Sequence, residues 1–313
     1  MGRVVMVCAL LMTMGCGWRG PLVVEREQAV LPQEERRVVL VTGSASGIGK
    51  EVAERFLERG HIVYGADIEV RANAYLHDRR GGHAVWMDVR EEEQVAWAVA
   101  KIVREQGRLD VVVNNAGYGS YGPIEEVPMR EVENQFDVNV FGYVRVVQQA
   151  LPVMRRQRAG RVIMVSSIVG EMAPALMGYY AGTKHAVEAI SDALRAEVEP
   201  LGIEVVKVQP GPVNTRFDER ALEGLRERMG EEDYAELMRD FEAYLLRTYR
   251  QVEGPGETAE RIVEVALMER DPPAVVRTTF ESKAAYFVRG WLSERGFDRM
   301  MRRQYRRAGR REQ

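Results

Sequence analysis

At 313 residues, 46% hydrophobic and 29% charged with a formal net charge of −3, the chain has room for one large α/β domain plus short appendages. That balance excludes a disordered chain and gives no reason to expect nucleic acid as a partner. Both cysteines, Cys8 and Cys16, precede the apparent domain, which excludes a disulfide framework or a cysteine metal site inside it, and the four histidines lack ligand spacing, so no metal is expected.

Residues 1–20 place one basic residue before a short, mostly apolar run that ends in Gly15-Cys16-Gly17. The run is too brief to span a bilayer and has the outline of a secretory signal. It also resembles a bacterial lipoprotein signal with Cys16 as the lipidated residue, although Thr13 stands where such signals prefer leucine. A misassigned start or a non-functional extension fits the same residues. Residues 21–36 mix proline and charge without periodicity and read as a linker, so 1–36 is set apart as leader plus linker.

The pattern changes at Arg37. Val38–Val41 is an apolar run of strand length, followed by a glycine-rich turn and a segment with Ile48, Val52, Phe56 and Leu57 at helical spacing. Further strands are expected at 61–66, ending on Asp67, at 84–87, ending on Asp88, and at 109–113, leading into Asn114-Asn115-Ala116-Gly117. A polar, helix-like segment follows Asp67, and a longer helix covers about 129–158. The run 162–165 ends on Ser166 and Ser167, a helix carrying Tyr180 and Lys184 follows, and 203–208 forms another strand. Strands alternating with helices predict a parallel, doubly wound sheet of Rossmann type with helices on both faces. Right-handed crossovers then place the strand ends along one edge. Residues 215–257 break the rhythm as charged, helix-prone sequence and read as a lid or substrate segment within a 37–285 domain.

The chemistry concentrates at the strand ends. Gly43, Ser44, Ser46, Gly47, Ile48 and Gly49 lie between the first strand and first helix, where glycines permit a tight turn and backbone N–H groups can approach a pyrophosphate. Asp67, eighteen residues after Gly49, is placed to accept hydrogen bonds from adenosine ribose hydroxyls. A carboxylate there repels a 2′-phosphate, and no basic residue stands in the turn immediately before Gly47, so NAD is expected over NADP. Tyr180 and Lys184 are four apart and share a helix face, next to the serines where the strand leaves the sheet. A cation about 4 Å from a phenol is worth about 4 kcal/mol at an effective dielectric of about 20, enough to bring a phenol of ordinary pKa about 10 near neutrality.

The combination TGSASGIG, NNAG, a serine thirteen residues before a tyrosine, and Tyr-x-x-x-Lys resembles the short-chain dehydrogenase/reductase superfamily over about residues 37–270. The resemblance implies Tyr180 as general acid/base, Ser167 as its partner, Lys184 binding the nicotinamide ribose, and Asn139 supporting a proton-relay water. It further implies Asp88 and Val89 near the adenine, Asn115, Ala116 and Gly117 along the central cleft, and Pro210, Gly211, Val213 and Thr215 at the nicotinamide end. Gly182-Thr183 replaces the more frequent Ala-Ser between tyrosine and lysine, keeping small residues. The implied activity is interconversion of an alcohol and a carbonyl by an NAD(P)-dependent enzyme, acting as a homodimer or homotetramer.

Apolar residues around the tyrosine (Met172, Pro174, Leu176, Met177) and in the 215–257 segment favour a hydrophobic small-molecule substrate such as a steroid, retinoid or lipid-like alcohol. A polar substrate, either a 3-hydroxyacyl thioester or a sugar, and a non-catalytic NAD-binding protein are the alternatives. The 286–313 tail is set apart as basic and amphipathic: from Arg289 to Gln313 it carries nine arginines against three acids, interleaved with Trp291, Phe297, Met301 and Tyr305. It fits either a membrane surface or docking on the domain. A freely exchanging cofactor places the domain in the cytoplasm, with the basic tail allowing membrane association, whereas the leader leaves export as a lipoprotein as the alternative.

Overall fold

The computed structural model describes residues 31–230 and 233–312, so the signal or anchor expected at 1–20 lies outside the described residues. The strands are β1 (Val38–Thr42), β2 (Ile62–Asp67), β3 (Gly82–Trp86), β4 (Val111–Asn114), β5 (Gly160–Val165), β6 (Ile203–Gln209) and β7 (Val275–Arg277). They form one sheet in the order 3-2-1-4-5-6-7, every pair parallel. The order reverses at β1, between β2 and β4, which opens a crevice at the carboxyl ends of the strands.

The helices are α1 (Gly47–Glu58), α2 (Glu92–Gln106), α3 (Met129–Phe136), α4 (Gly142–Gln157), α5 (Gly178–Val198), α6 (Arg216–Glu227), α7 (Ala235–Gln251), α8 (Gly256–Leu267), α9 (Phe280–Trp291) and α10 (Glu294–Glu312). The two-residue period of a strand explains how the layers assemble. Val38 and Leu40 of β1 point into a core shared with α2, α4 and α5, while Val39 and Val41 point into the opposite core with α1 and α8. A third apolar cluster joins Tyr121 and Tyr180 to Leu225 of α6, Phe241 of α7 and Tyr305 of α10.

The structure departs from the sequence expectations in four places. After Asp67 there is no α-helix but a loop with a short 3-10 turn, Ala74–Asp78. Its anchor is the buried Asn73, whose amide donates to the Gly65 carbonyl (2.7 Å) and whose carbonyl accepts from Ser44 (2.8 Å). The single helix expected over 129–158 is instead two, α3 and α4, joined by a π-helical turn at Asp137–Phe141. The short edge strand β7 was not anticipated, since three residues carry no period to read. Finally, the cut proposed between 285 and 286 falls inside α9, and α10 packs along α7, burying Phe297, Tyr305 and Ala308.

Candidate active site

A cleft of about 1000 Å³ runs along the carboxyl edge of the sheet. One end is the glycine turn. Gly43 (φ +68°) and Gly47 (φ +56°) adopt left-handed backbone, which a side chain disfavours. A Cβ on Gly43 would stand 2.8 Å from Ala116 Cα, and one on Gly49 would stand 2.1 Å from the Gly43 carbonyl oxygen. Ser46 makes no side-chain capping bond, and no acid lies in the first turn of α1. The N–H groups there are thus free of side-chain caps and carry the positive end of the helix dipole.

The neighbouring strand ends are tied to this turn. Thr42 Oγ1 accepts from the backbone N–H of both Asn115 and Ala116 at 3.0 Å, and the Asn115 amide donates to the Thr42 carbonyl at 3.0 Å. Asp67 is pinned by backbone donors: one oxygen accepts from Ala45 N–H and the other from Glu69 N–H, both at 2.9 Å. A glycine-rich turn with small side chains beside a fixed carboxylate fits the pyrophosphate and ribose of a nicotinamide dinucleotide.

At the other end, β5 delivers Ser166 and Ser167 to the cleft and α5 delivers Tyr180 and Lys184. Ser167 caps a short 3-10 turn, its hydroxyl accepting from Val169 N–H at 3.3 Å. The Lys184 ammonium donates to the Val165 carbonyl at 2.9 Å and stands 5.9 Å from the centre of the Tyr180 ring and 5.4 Å from that of Tyr143. Burial pushes Lys184 down to about 8, with Glu188 one turn further along α5 opposing the shift. At neutral pH the site therefore keeps its buried cation. The Tyr180 ring packs between Tyr121 and Phe217, at centroid distances of 6.1 and 5.4 Å.

Most residues singled out from the sequence line this cleft: Gly43, Ser46, Gly47, Ile48, Asp67, Asp88, Val89, Asn115, Ala116, Gly117, Ser167, Tyr180, Lys184, Pro210, Gly211, Val213 and Thr215. Three do not. Ser44 faces inward, is fully buried and bonds Asn73, so it braces the turn from behind. Gly49 packs against the turn's own backbone. Asn139 sits in the π-helical turn and holds the Tyr118 backbone, accepting from its N–H at 3.0 Å and donating to its carbonyl at 2.9 Å, with a further bond to Thr183 at 3.2 Å. It thus bridges the cleft wall to α5 instead of facing the cavity.

Residues not legible in the sequence line both ends of the cleft. Glu69, Arg90 and Arg220 line the cofactor end, with Arg220 paired to Glu69 at 3.0 Å. Glu281 and Ala284 of α9, and Phe297, Met301 and Tyr305 of α10, complete the far wall. The amphipathic pattern of α10 was the available signal for the last three.

The model of the short chain dehydrogenase family matches residues 37–225. The chain belongs to that family. Its glycine turn, Tyr180 and Lys184 all lie within the matched span, and as a short-chain dehydrogenase it is an NAD(P)-dependent oxidoreductase. It is 40% identical over 201 residues to a 3-ketodihydrosphingosine reductase of Bacteroides thetaiotaomicron, covering 64% of this chain and 72% of that one. It is 39% identical over 196 residues to an NADPH-dependent 3-dehydrocapnine reductase of Ornithobacterium rhinotracheale, covering 60% and 69%. Among solved structures, a short-chain dehydrogenase from Streptomyces avermitilis superposes with a TM-score of 0.69 at 30% identity, over 83% of this chain and 96% of that one.

Proposed function

We propose that this short-chain dehydrogenase reduces a ketone on an apolar, lipid-like substrate, and catalyses the reverse oxidation, with NAD as its cofactor. The observation that carries the reading is that Ser167, Tyr180 and Lys184 line one cleft together with the apolar Met172, Met177, Phe217, Leu245, Phe297 and Met301. Two relatives are themselves named as reductases of a 3-keto and a 3-dehydro compound, which supports the carbonyl as the reacting group.

When bound, the nicotinamide supplies or takes up hydride. The chain's own residues manage the proton and the position of the carbonyl. The Ser167 hydroxyl donates a hydrogen bond to the substrate oxygen and orients it. The Tyr180 phenol gives the proton to that oxygen in reduction and accepts it in oxidation. Lys184, held by the Val165 carbonyl, keeps a positive charge under the phenol and stabilises its anion. Asn139 is a positioning residue: it fixes the backbone of Tyr118 and, through Thr183, the helix that carries Tyr180. Gly43, Gly47 and the first turn of α1 hold the pyrophosphate, and Asp67 takes the ribose hydroxyls. The fixed Asp67 carboxylate, with Glu69 beside it, favours NAD even though one relative is named for NADPH.

A ladder of methyl ketones of increasing chain length, assayed by NADH oxidation, tests the substrate class. Burial of each added methylene is worth about 0.8 kcal/mol, so kcat/KM should climb by up to about fourfold per methylene until the apolar wall is covered. A flat ladder, or preference for a sugar or a short polar ketone, contradicts the apolar assignment.

A further inference from the structure

We propose that the face built by α9 and α10 docks on an anionic lipid bilayer, with the mouth of the cleft turned toward that surface. The inference goes beyond the catalytic reading and is tested without it. On α9, Phe280, Phe287 and Trp291 are exposed at 78%, 66% and 78%. They are seven and four residues apart, so they form one stripe along the helix. The rings of Phe287 and Trp291 pack together at 5.9 Å without being covered. Large aromatic rings left in this way suit the headgroup region of a membrane.

The second half of the face is cationic. Arg299, Arg303 and Arg307 recur every fourth residue of α10 and line a shallow groove with Leu292 and Met300. None of the three forms an ion pair among the described residues. The opposite side of α10 already buries Phe297, Tyr305 and Ala308, so the outward arginine row is not needed to seat the helix. Surface arginines facing an anionic leaflet are attracted to it, whereas two copies of this face pressed together would oppose like charges. That favours a bilayer over a second copy of the chain. None of the described helices is long and apolar enough to cross a membrane, so the contact lies along the surface.

The face also adjoins the cleft. Met300 and Gln304 line both the arginine groove and the cleft, and Ala284 and Val288 line the cleft from the same helix as the aromatic stripe. A substrate drawn from the lipid would pass from the headgroup region into an apolar wall without crossing bulk water.

Sedimentation of the full chain with sucrose-loaded vesicles decides the matter, comparing phosphatidylcholine alone with phosphatidylcholine mixed with phosphatidylglycerol. Every variant retains residues 1–20, so differences report this face and not the leader. The parent should prefer the phosphatidylglycerol vesicles. Arg299→Gln, Arg303→Gln and Arg307→Gln together should lower that partitioning on the order of a hundredfold. Phe287→Ser with Trp291→Ser should lower it by ~tenfold or more. Far-ultraviolet circular dichroism and NADH binding check that each variant is folded; should the aromatic variant not fold, the arginine variant, which removes only exposed groups, decides alone. Unchanged partitioning of the arginine variant, or equal binding of the parent to neutral vesicles, overturns the proposal. A parent that ignores vesicles but self-associates, and becomes monomeric on Trp291→Ser, overturns it in favour of a protein interface.

Discussion

The two ends of the cleft are built by different means. At the cofactor end, hydrogen bonds between side chains and backbone tie the ends of β1, β2 and β4 together: Ala45 and Glu69 N–H on the Asp67 carboxylate, and Asn115 and Ala116 N–H on the Thr42 hydroxyl. At the substrate end the wall comes from α6, α7, α9 and α10, with α10 seated on α7 by packing of the Tyr305 ring on those of Phe241 and Tyr244 at 5.3 and 5.0 Å. Polar tethers fix a geometry that one ligand class always needs. Apolar packing leaves a surface whose shape can follow a different substrate at modest cost. Tyr180 and Lys184 stand where the two ends meet.

The largest effect should come from that junction. Lys184→Met removes a buried ammonium that stands 5.9 Å from the Tyr180 ring centre, a charge worth about 3 kcal/mol to the phenolate at an effective dielectric of about 20, so kcat/KM should fall about a hundredfold. The parent's own pH profile carries the same information. Because burial sets Lys184 to about 8, its charge is present below that pH and lost above it, so ketone reduction should decline as pH rises through about 8. An alkaline limb that persists unchanged in Lys184→Met would assign that limb to a group other than Lys184.

A smaller effect sharpens the cofactor end. Asp67→Ser should move the ratio of kcat/KM for NAD to that for NADP toward NADP on the order of tenfold or more, by removing a fixed negative charge from the position of a 2′-phosphate. Steady-state rates with both cofactors measure it; an unchanged ratio would mean that Arg220 or Arg90, both at this end, sets the preference.

A pair of variants read by stability and not by rate contrasts the two modes of construction directly. Asn73→Ala strips partners from the Ser44 hydroxyl and the Gly65 carbonyl, both buried, and should cost about 2–3 kcal/mol. The Tyr305 hydroxyl is buried without a hydrogen-bond partner among the described residues, so Tyr305→Phe should leave the Tm unchanged or raise it slightly. Thermal unfolding of both variants in one buffer makes the comparison. Equal losses would mean that the substrate end depends on polar tethers as well.

This contrast also explains what could be read from the residues alone. The glycine turn, the acidic strand ends and the Tyr180–Lys184 spacing were legible because each depends on a period or a turn within a few residues. The inward direction of the Ser44 side chain was not legible, since a motif fixes the order of residues in a turn but not which way each side chain leaves it. Asn139 was legible as a motif, but not as a brace between Tyr118 and Thr183. The segment after β2 looked helical by composition, while a single buried asparagine holds it as a loop. The amphipathic pattern of α10 announced an apolar face but not its partner, so its seat on α7 and its share of the cleft wall emerged only in three dimensions.

The proton donor is put to the test by Tyr180→Phe, in single-turnover ketone reduction alongside NADH binding by fluorescence. Turnover should fall on the order of a thousandfold with the cofactor Kd essentially unchanged. Turnover within about tenfold of the parent would contradict that role of Tyr180, because the proton would then come from another group in the cleft.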